Sequence, residues 1–324
     1  MDGRAAPRIS VVLCTFNGGA YVRPLLDSLA QQSRPLDELV VCDDASTDGT
    51  AEQVAQDEAG FGARLALVRR TTTLGAAANF ADALARCSGD LVFLCDQDDL
   101  WRPEKLARVE AVFAAQPQVD LVQHDADVID GADRPLAGSL YRRLGVVPQD
   151  SALACFARQL RRNRTPGCSL AVRGSWLRQA LPVPPAFMHD EWLALVGSAA
   201  GRLLQIEDCL ASYRLHDGNA LGLRGIGWQA HLLARRQAVA ARAAKLGRLA
   251  TLQARLQLAD EGTVLQAHRS LLAEAIAHLQ ARQSLPLARW QRLPAVMREL
   301  LSGRYRRHAT GAASALRDLV ESVP

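Results

Sequence analysis

Four polar residues follow a strongly apolar stretch in DLVFLCDQDDLW, residues 90–101. Asp96, Gln97, Asp98 and Asp99 stand where a buried strand would end, and unpaired carboxylates that lie close together repel one another. A divalent cation would relieve that repulsion, and an Asp-x-Asp spacing lets alternate side chains address one ligand. Oxygen ligands suit Mg²⁺ or Mn²⁺, and either ion also bridges a diphosphate. The segment therefore predicts a divalent-cation site in this loop.

A solvated acidic turn is the alternative interpretation of the same loop. Asp99 would then be the N-cap of a helix that begins in RPEKLARV, with Pro103 in its first turn. Capping explains one aspartate well and leaves the other acidic residues of the loop unexplained.

Two further polar clusters follow apolar runs, in CTFNGG (14–19) and CDDASTDGT (42–50). The first offers Thr15 and Asn17 as polar contacts, and its two glycines allow a ligand to approach the backbone closely. The second contains hydroxyl and acidic residues that can cap the next helix, which leaves Asp43 and Asp44 free to accept hydrogen bonds from a ribose or a base.

The elements that must position these clusters alternate between strand and helix patterns over the first 130 residues. The segments in order are ISVVLCTF, YVRPLLDSLAQQ, ELVVCDD, TAEQVAQDEA, RLALVRR, GAAANFADALARC and DLVFLCD. This order predicts an α/β fold with a mostly parallel sheet flanked by helices, in which ligands bind beyond the carboxyl ends of the strands. All three polar clusters fall at such ends.

The pattern becomes less regular after that region. VDLVQHDADVID is predicted to be a strand, GCSLAVRG a strand entering a turn, HDEWLALVGSAAG a helix, and GRLLQIEDCLASYRLH a last pair of strands. From about Gly225, long Ala/Leu/Arg segments with helical periodicity predict a helical extension that is interrupted at SLPLARWQRLP.

Composition limits the class of protein. The chain has 324 residues, 49% of them hydrophobic and 22% charged, which is ordinary for a soluble globular protein. Its seven cysteines include no C-x-x-C pair, so we expect reduced thiols in a cytosol rather than disulfides or a zinc site. No apolar run has the length of a signal peptide or a membrane span, and we expect a cytoplasmic protein.

In their order along the chain, seven segments resemble the family 2 glycosyltransferases, which are inverting enzymes of the GT-A fold. They are TFNGGAYVRPLLDSLAQQS, DELVVCDDASTDGT, LGAAANFADAL, GDLVFLCDQDDLWRPEKL, GCSLAVR, HDEWLAL and YRLHDGNALG. The resemblance covers roughly residues 8–224. The forms DQDDLW, HDEW and YRLH are most similar to the rhamnosyltransferases of bacterial surface-polysaccharide synthesis.

The resemblance implies a domain organisation and roles for individual residues. Residues 1–224 would be the GT-A domain, with a nucleotide-binding half at about 8–130 and an acceptor half at about 131–224, followed by a basic helical extension at 225–324. A dTDP- or UDP-sugar would be the donor, and a saccharide or lipid-linked saccharide the acceptor. The residues placed at the donor are Thr15, Asn17, Asp43, Asp44, Gly75, Asn79 and Asp96, and those placed at Mn²⁺ or Mg²⁺ are Asp98 and His216.

Transfer also needs a base that takes the proton of the incoming hydroxyl. HDEW places acidic residues at a predicted helix start, where they would also complement the helix dipole. The resemblance assigns the base to Asp190, and Glu191 is its rival because relatives more often carry an aromatic residue there.

Charge separates the predicted extension from the rest. Residues 1–224 hold 23 basic and 28 acidic residues, a net −5, whereas 225–324 hold 15 and 6, a net +9. In LARWQRLPAVMRELLSGRYRR the apolar residues Trp290, Leu293, Val296, Met297 and Leu300 stand beside arginines. The segment would suit an anionic membrane surface, or its apolar side would pack on the catalytic domain or a second subunit. Nucleic acid is not an expected partner, because no recognition motif occurs.

Other classes fit less well. A receiver-type signalling module would carry its acidic pair after the first strand, where this chain has TFNGG. A nucleotidyltransferase would carry a basic glycine-rich loop there, and a dinucleotide oxidoreductase would carry G-x-G-x-x-G. An inactive nucleotide-sugar-binding homologue remains an alternative that only an assay separates from an active transferase.

Overall fold

The structure is a computed structural model that describes residues 6–56, 62–148, 151–216, 228–258 and 266–320. The chain forms two compact units. The first comprises Met1–Gln149, Arg164–Gly197 and Arg202–Leu223, and the second comprises Asp150–Asn163, Ser198–Gly201 and Arg224–Pro324.

Strands and helices alternate through the first unit and give way to helices at the end of the chain. The strands are β1 (Ile9–Thr15), β2 (Glu38–Asp43), β3 (Arg64–Arg69), β4 (Leu91–Asp96), β5 (Leu100–Trp101), β6 (Leu121–Asp130), β7 (Pro135–Leu136), β8 (Leu170–Arg173) and β9 (Leu203–Leu215). The helices are α1 (Gly19–Ala30), α2 (Thr50–Gln56), α3 (Ala76–Arg86), α4 (Lys105–Ala115), α5 (Leu140–Leu144), α6 (Ala152–Arg161), α7 (Gly174–Ala180), α8 (His189–Ala199), α9 (Trp228–Gln257), α10 (Gln266–Gln283), α11 (Arg289–Leu301), α12 (Arg304–His308) and α13 (Ala312–Val320).

The strands of the described residues form one mixed sheet in the order β3-β2-β1-β4-β8-β6-β9-β5, with β7 paired to β6. Strands β1 to β4 run parallel, as predicted, whereas β8 is antiparallel to both β4 and β6. The register places Thr15 beside Asp43 on one side of β1 and Cys14 beside Asp96 on the other. The polar clusters of three strands therefore meet at one edge of the sheet.

Burial explains why these segments form this sheet. Every residue of β1 and β2 is buried, and both strands are mostly apolar, as central parallel strands covered on two faces usually are. Helix α1 covers part of this sheet with Val22, Leu25, Leu26 and Leu29, which share one helical face.

Two details of the sheet differ from the sequence prediction. Residues 203–215 form one long strand, β9, rather than a pair of strands, because β9 stays paired to β6 through two register shifts. Leu100 and Trp101 form a short strand against β9, so helix α4 begins only at Lys105. Asp99 is therefore not its N-cap, and its Oδ1 accepts a hydrogen bond of 2.9 Å from the backbone N–H of Arg214.

The second unit is helical among its described residues and contains α6 and α9 to α13. Asp318, on α13, is buried and its carboxylate accepts hydrogen bonds from Arg242 (2.8 Å), Arg282 (2.6 Å) and Tyr305 (2.7 Å). These partners lie on α9, α10 and α12, so one carboxylate joins four helices.

Within the described chain, no helix combines the length and apolarity that crossing a membrane would require.

Candidate active site

A cavity of about 470 Å³ lies beyond the carboxyl ends of β1, β2 and β4. The starts of α3 and α8, the turn before β8 and part of β9 complete its walls. Seven residues predicted from the sequence line this cavity, and they are Thr15, Asp44, Gly75, Asn79, Asp96, Asp98 and Asp190. Asn17, Asp43, Glu191 and His216, also predicted, lie outside its lining.

Asp43 organises the loop after β2 instead of facing the cavity. Its carboxylate is 2% exposed and accepts hydrogen bonds from the Thr15 hydroxyl (2.7 Å), the Ser46 hydroxyl (2.6 Å) and the Ser46 backbone N–H (2.9 Å). Three of its roughly four acceptor positions are thus used within the protein. Of the acidic pair after β2, only Asp44 lies at the cavity.

Asp44 fixes the far wall of the cavity. Its two carboxylate oxygens accept hydrogen bonds from the backbone N–H groups of Leu74 (2.7 Å) and Gly75 (2.8 Å). Gly75 has φ = 83°, a left-handed conformation that glycine adopts without strain, and it directly precedes α3. Asp44 therefore holds the backbone before α3 in a conformation suited to close approach by a ligand.

Asn79 and Asn17, both predicted at the donor, make hydrogen bonds that fix the surrounding loops. Asn79 is 1% exposed, donates to the Cys42 carbonyl (2.8 Å) and accepts from the Arg70 guanidinium (2.8 Å). Asn17 has φ = 48° and its side-chain oxygen accepts a hydrogen bond of 2.9 Å from the backbone N–H of Thr47. Asn17 thus joins the loops after β1 and β2, and its side chain does not face the cavity.

Gln97 has a role that the sequence did not assign. Its side-chain oxygen accepts from the Phe16 backbone N–H at 2.8 Å, and its amide nitrogen donates to the Phe16 carbonyl at 3.1 Å. This double contact ties the acidic loop to the loop after β1. The glutamine amide offers both a donor and an acceptor at the end of the side chain. A glutamine among the aspartates of this loop was therefore the sequence signal for such a double contact.

The acidic loop concentrates negative charge in a partly buried setting. Burial, followed by the charges of Asp99, Asp98 and Asp190, raises the pKa of the Asp96 carboxyl well above its usual range. Burial and the Asp98 charge raise the pKa of Asp99 to about 7. Protonation or a positive ligand would relieve the repulsion among these carboxylates.

A buried lysine, Lys105, supplies positive charge next to the acidic loop. Lys105 lies 3.5 Å from the centre of the Trp101 ring and donates a hydrogen bond of 2.7 Å to the Cys168 carbonyl. Its own burial lowers its pKa to about 8, while the nearby Asp99 and Asp96 carboxylates act in the opposite sense. Lys105 lies near the carboxylates of the acidic loop but does not line the cavity.

Two groups in this region have metal-ligand chemistry. Asp98 Oδ2 lies 2.8 Å from His216 Nε2, and each side chain is 15% exposed. Asp96, Asp99 and Cys168 form a second, more buried group whose ligand atoms lie within 4.8 Å of one another. Burial raises the pKa of the Cys168 thiol well above its usual value, which disfavours the thiolate that binds metals. Asp98 and His216 therefore fit a divalent cation at the cavity better.

Asp190 and Glu191 occupy the first turn of α8. Asp190 lines the cavity, whereas Glu191 does not. The Glu191 backbone N–H donates a hydrogen bond of 2.6 Å to Asp190 Oδ1. Of the two candidates for the base, only Asp190 faces the space in which a ligand would lie.

His189 is a second residue that the sequence left without a role. Its ring is 2% exposed, stacks on Phe80 with ring centroids 3.8 Å apart, and lines the cavity. Among the described residues, neither ring nitrogen has a hydrogen-bond partner. Burial lowers its pKa to about 3, so the ring is neutral at physiological pH. A buried, neutral and unpaired imidazole at a cavity wall is available to a ligand.

Known proteins share sequence and fold with this chain. Residues 10–176 match the family model for glycosyl transferase family 2. An uncharacterized glycosyltransferase of Nostoc sp. is 27% identical over 222 residues, which cover 65% of this chain and 66% of that protein. The chain thus spans just under two thirds of that relative's length.

Solved structures show the same fold. Staphylococcus aureus TarS 1-349 in complex with UDP-GlcNAc has a TM-score of 0.60 and 17% identity, over 93% of this chain and 82% of that one. The mannosyltransferase PcManGT of Pyrobaculum calidifontis, in complex with GDP-Man and Mn²⁺, has a TM-score of 0.52 and 20% identity, over 97% and 79%. These likenesses confirm the predicted GT-A fold.

The segment that matches the family model contains the acidic loop, both loops at the ends of β1 and β2, and the turn before β8. It spans more than half of the chain. The chain belongs to glycosyl transferase family 2.

Proposed function

We propose that this protein transfers a sugar from a nucleotide-diphosphate sugar to a hydroxyl of a saccharide or lipid-linked saccharide, with inversion at the anomeric carbon. The observation that carries the proposal is the convergence of Asp96, Asp98 and Asp190 on one cavity whose other wall is built on Asp44. A donor that extends from Asp44 past Asp98 would present its anomeric carbon near Asp190.

The nucleoside end of the donor would lie near Thr15, Asp44, Gly75 and Asn79, and its ribose would approach Asp96. Support comes from their shared position on the cavity wall and from the family resemblance. Asn17 and Asp43 hold this wall in place through the loop hydrogen bonds they make. The residues that line the cavity would therefore contact the donor directly. Asn17 and Asp43 would be positioning residues that hold the cavity wall.

Asp190 would act as the general base. A carboxylate at a helix start is held rigidly, and removal of the acceptor proton makes the hydroxyl oxygen a stronger nucleophile as the sugar–phosphate bond opens on the opposite face. No covalent intermediate is required, which accounts for inversion. Glu191 is a poorer candidate because it lies outside the cavity lining.

Asp98 and His216 would hold Mn²⁺ or Mg²⁺. When bound, such an ion supplies Lewis-acid stabilisation of the negative charge that develops on the leaving diphosphate. The Asp98 carboxylate suits Mn²⁺ or Mg²⁺, and the structural neighbour PcManGT is in complex with Mn²⁺. The remaining motif residues after His216, 217–222, lie outside the described part of the chain.

The donor and pathway are finer proposals. The DQDDLW, HDEW and YRLH forms favour a rhamnosyl donor, for which dTDP is the expected nucleotide, and a place in bacterial surface-polysaccharide synthesis. Residues 1–224 would carry catalysis, with the donor half at about 8–130 and the acceptor half at about 131–224, and 225–324 would form a separate basic extension.

A thermal-shift screen tests the proposed function. The purified protein would be melted with UDP-, dTDP-, GDP- and CDP-sugars, each with and without Mn²⁺ or Mg²⁺. A ligand that binds only the folded state raises the melting temperature, and at a hundredfold excess over its dissociation constant it adds about 2.7 kcal/mol to the free energy of unfolding. We expect the sugars of one nucleotide to raise the melting temperature, and only when metal is present. A protein that no donor stabilises, in any metal, would contradict the proposal.

His189 yields a separate prediction. We propose that its free ring nitrogens hydrogen-bond a hydroxyl of the donor sugar or the acceptor, so His189→Phe should raise KM for one of them about tenfold, the usual worth of one hydrogen bond. The variant should melt at the same temperature or higher, because it replaces an unpaired buried polar ring by an apolar one that still stacks on Phe80.

Steady-state kinetics at several pH values would check this role. Because the His189 pKa of about 3 lies far below the working range, the fold-change should stay constant between about pH 5.5 and 8. A lower melting temperature with unchanged KM values would instead mean that His189 serves only to pack the start of α8.

A further inference from the structure

Helix α11 carries a row of exposed apolar side chains. Trp290 is 77% exposed, Leu293 51%, Met297 39% and Leu301 81%. With about 100° between successive residues of a helix, these four fall within an arc of about 80° on one side of α11. We call them the α11 stripe. Contiguous apolar surface of this kind usually marks an interaction site.

The stripe is not the face with which α11 packs in its own unit. Arg292 (1% exposed), Val296 (1%) and Glu299 (4%) form the buried face, roughly opposite the stripe. Val296 belongs to a small core with Tyr305 and Ala315, against which Leu300 also packs. The sequence grouped Val296 and Leu300 with the stripe, whereas the structure uses both for internal packing.

The charge around the stripe is positive. Arg289 and Arg298 are exposed and lie on its two flanks, and within the described chain their guanidinium groups make neither hydrogen bonds nor ion pairs. The two acidic residues of α11 to α13, Glu299 and Asp318, are both buried, at 4% and 3% exposure. Helices α11 to α13 therefore present arginines around the stripe and no exposed carboxylate of their own.

We propose that the α11 stripe docks on an anionic lipid surface, with α11 lying in the plane of the interface. The four apolar side chains would enter the boundary between headgroups and acyl chains, while Arg289 and Arg298 would extend to lipid phosphates. The helix lies beyond residues 10–176, so the family match does not carry this inference.

Charge complementarity favours lipid over a second copy of the chain. A two-fold contact through the stripe would bring the exposed arginines of one copy against the same residues of the other, and like charges that face one another disfavour association. An anionic surface satisfies both the apolar stripe and its flanking charges. The proposal does not depend on sugar transfer, since a protein without transferase activity would present the same face.

Cosedimentation of the full chain with vesicles tests the proposal. Vesicles of phosphatidylcholine alone would be compared with vesicles that also contain phosphatidylglycerol. We expect binding to the anionic vesicles only, weakened by added salt because the arginine contribution is screened. Arg289→Gln with Arg298→Gln should weaken binding about fivefold for each arginine removed. Arg178→Gln, an exposed arginine of the first unit, is the matched control and should change nothing.

Trp290→Ser with Leu301→Ser should weaken binding at least about tenfold, since the two most exposed members of the stripe are lost. Both positions are exposed, so the variant should fold normally. Leu258→Ser removes a leucine that is 83% exposed outside α11 and should bind as the unchanged protein does.

Fluorescence separates docking through α11 from docking elsewhere. Trp290 is exposed, Trp176 is half-buried, and Trp101 and Trp192 are buried. Insertion of Trp290 should therefore shift the emission to shorter wavelength, and Trp290→Phe should abolish that shift while binding persists. Absence of vesicle binding, or binding that the stripe and arginine variants leave unchanged, would overturn the proposal. So would an oligomer in solution that Trp290→Ser with Leu301→Ser dissociates, because a second copy would then cover the stripe.

Discussion

Asp190→Asn is expected to abolish sugar transfer while the nucleotide sugar still binds. Asparagine keeps the size of the side chain and its acceptor oxygen, which can still receive the Glu191 N–H, but it cannot take the proton of an acceptor hydroxyl. We expect a fall in turnover of about a thousandfold, within the usual worth of a positioned general base. Transfer would be measured as released nucleoside diphosphate, and donor binding by thermal shift.

Glu191→Gln is the matched control, because it changes the neighbouring carboxylate in the same helical turn. Its turnover should stay within about threefold of the unchanged protein, since Glu191 lies outside the cavity lining and surface changes of this kind have small effects. Near-normal transfer by Asp190→Asn, or loss of transfer in Glu191→Gln, would show that the base has been assigned to the wrong residue.

Asp98→Ala should remove metal-dependent turnover and also weaken donor binding. Asp98 is the carboxylate paired with His216, and without it the proposed cation site keeps only one of its two protein ligands. We expect the metal-dependent part of the thermal shift to disappear and turnover to fall by at least about a hundredfold, as loss of electrostatic stabilisation of a leaving group usually costs. His216→Ala should act in the same direction.

Loss of the Asp98 charge should also change how the stability of the ligand-free protein depends on pH, with Asp98→Ala gaining stability relative to the parent as pH rises. The Asp98 charge helps to raise the pKa of Asp99 to about 7, so removal of Asp98 lowers that pKa and relieves repulsion where Asp99 is ionised. Because a raised carboxyl pKa favours folding at low pH, the gain should appear as pH rises from about 4 towards 7 and persist above it. Asp27→Ala, at an exposed surface ion pair, serves as the control and should leave turnover unchanged. An Asp98→Ala protein that still responds to metal would contradict the proposed cation site.

The strand–helix alternation predicted the first four strands and the loops that carry the site, because apolar runs buried on both faces are unmistakable in β1, β2 and β4. The irregular region was harder. A polar residue such as Asp208 within β9 suggests a turn, whereas in the structure it pairs with Arg108 at the surface and the strand continues. Tertiary contacts of this kind leave no local signal.

The site shows the same limit at the level of single residues. Asp43 and Asp44 are adjacent and chemically identical, yet one bonds its own loop and the other holds the backbone before α3. Which of them faces the cavity depends on the strand register, which sequence alone does not reveal. His189 received no role from the sequence for a similar reason, since a histidine becomes informative only when its burial and its missing partners are known.

The contact of Gln97 with both backbone groups of Phe16 bears on how tightly this cavity can bind. Two walls that are already joined do not have to be ordered when a ligand arrives, so less of the interaction free energy is lost as conformational entropy. The affinity of a ligand for this cavity should therefore depend mainly on how well its shape complements a wall that is already formed before binding. For an inhibitor, this means that a rigid molecule matched to that wall has an advantage over a flexible one.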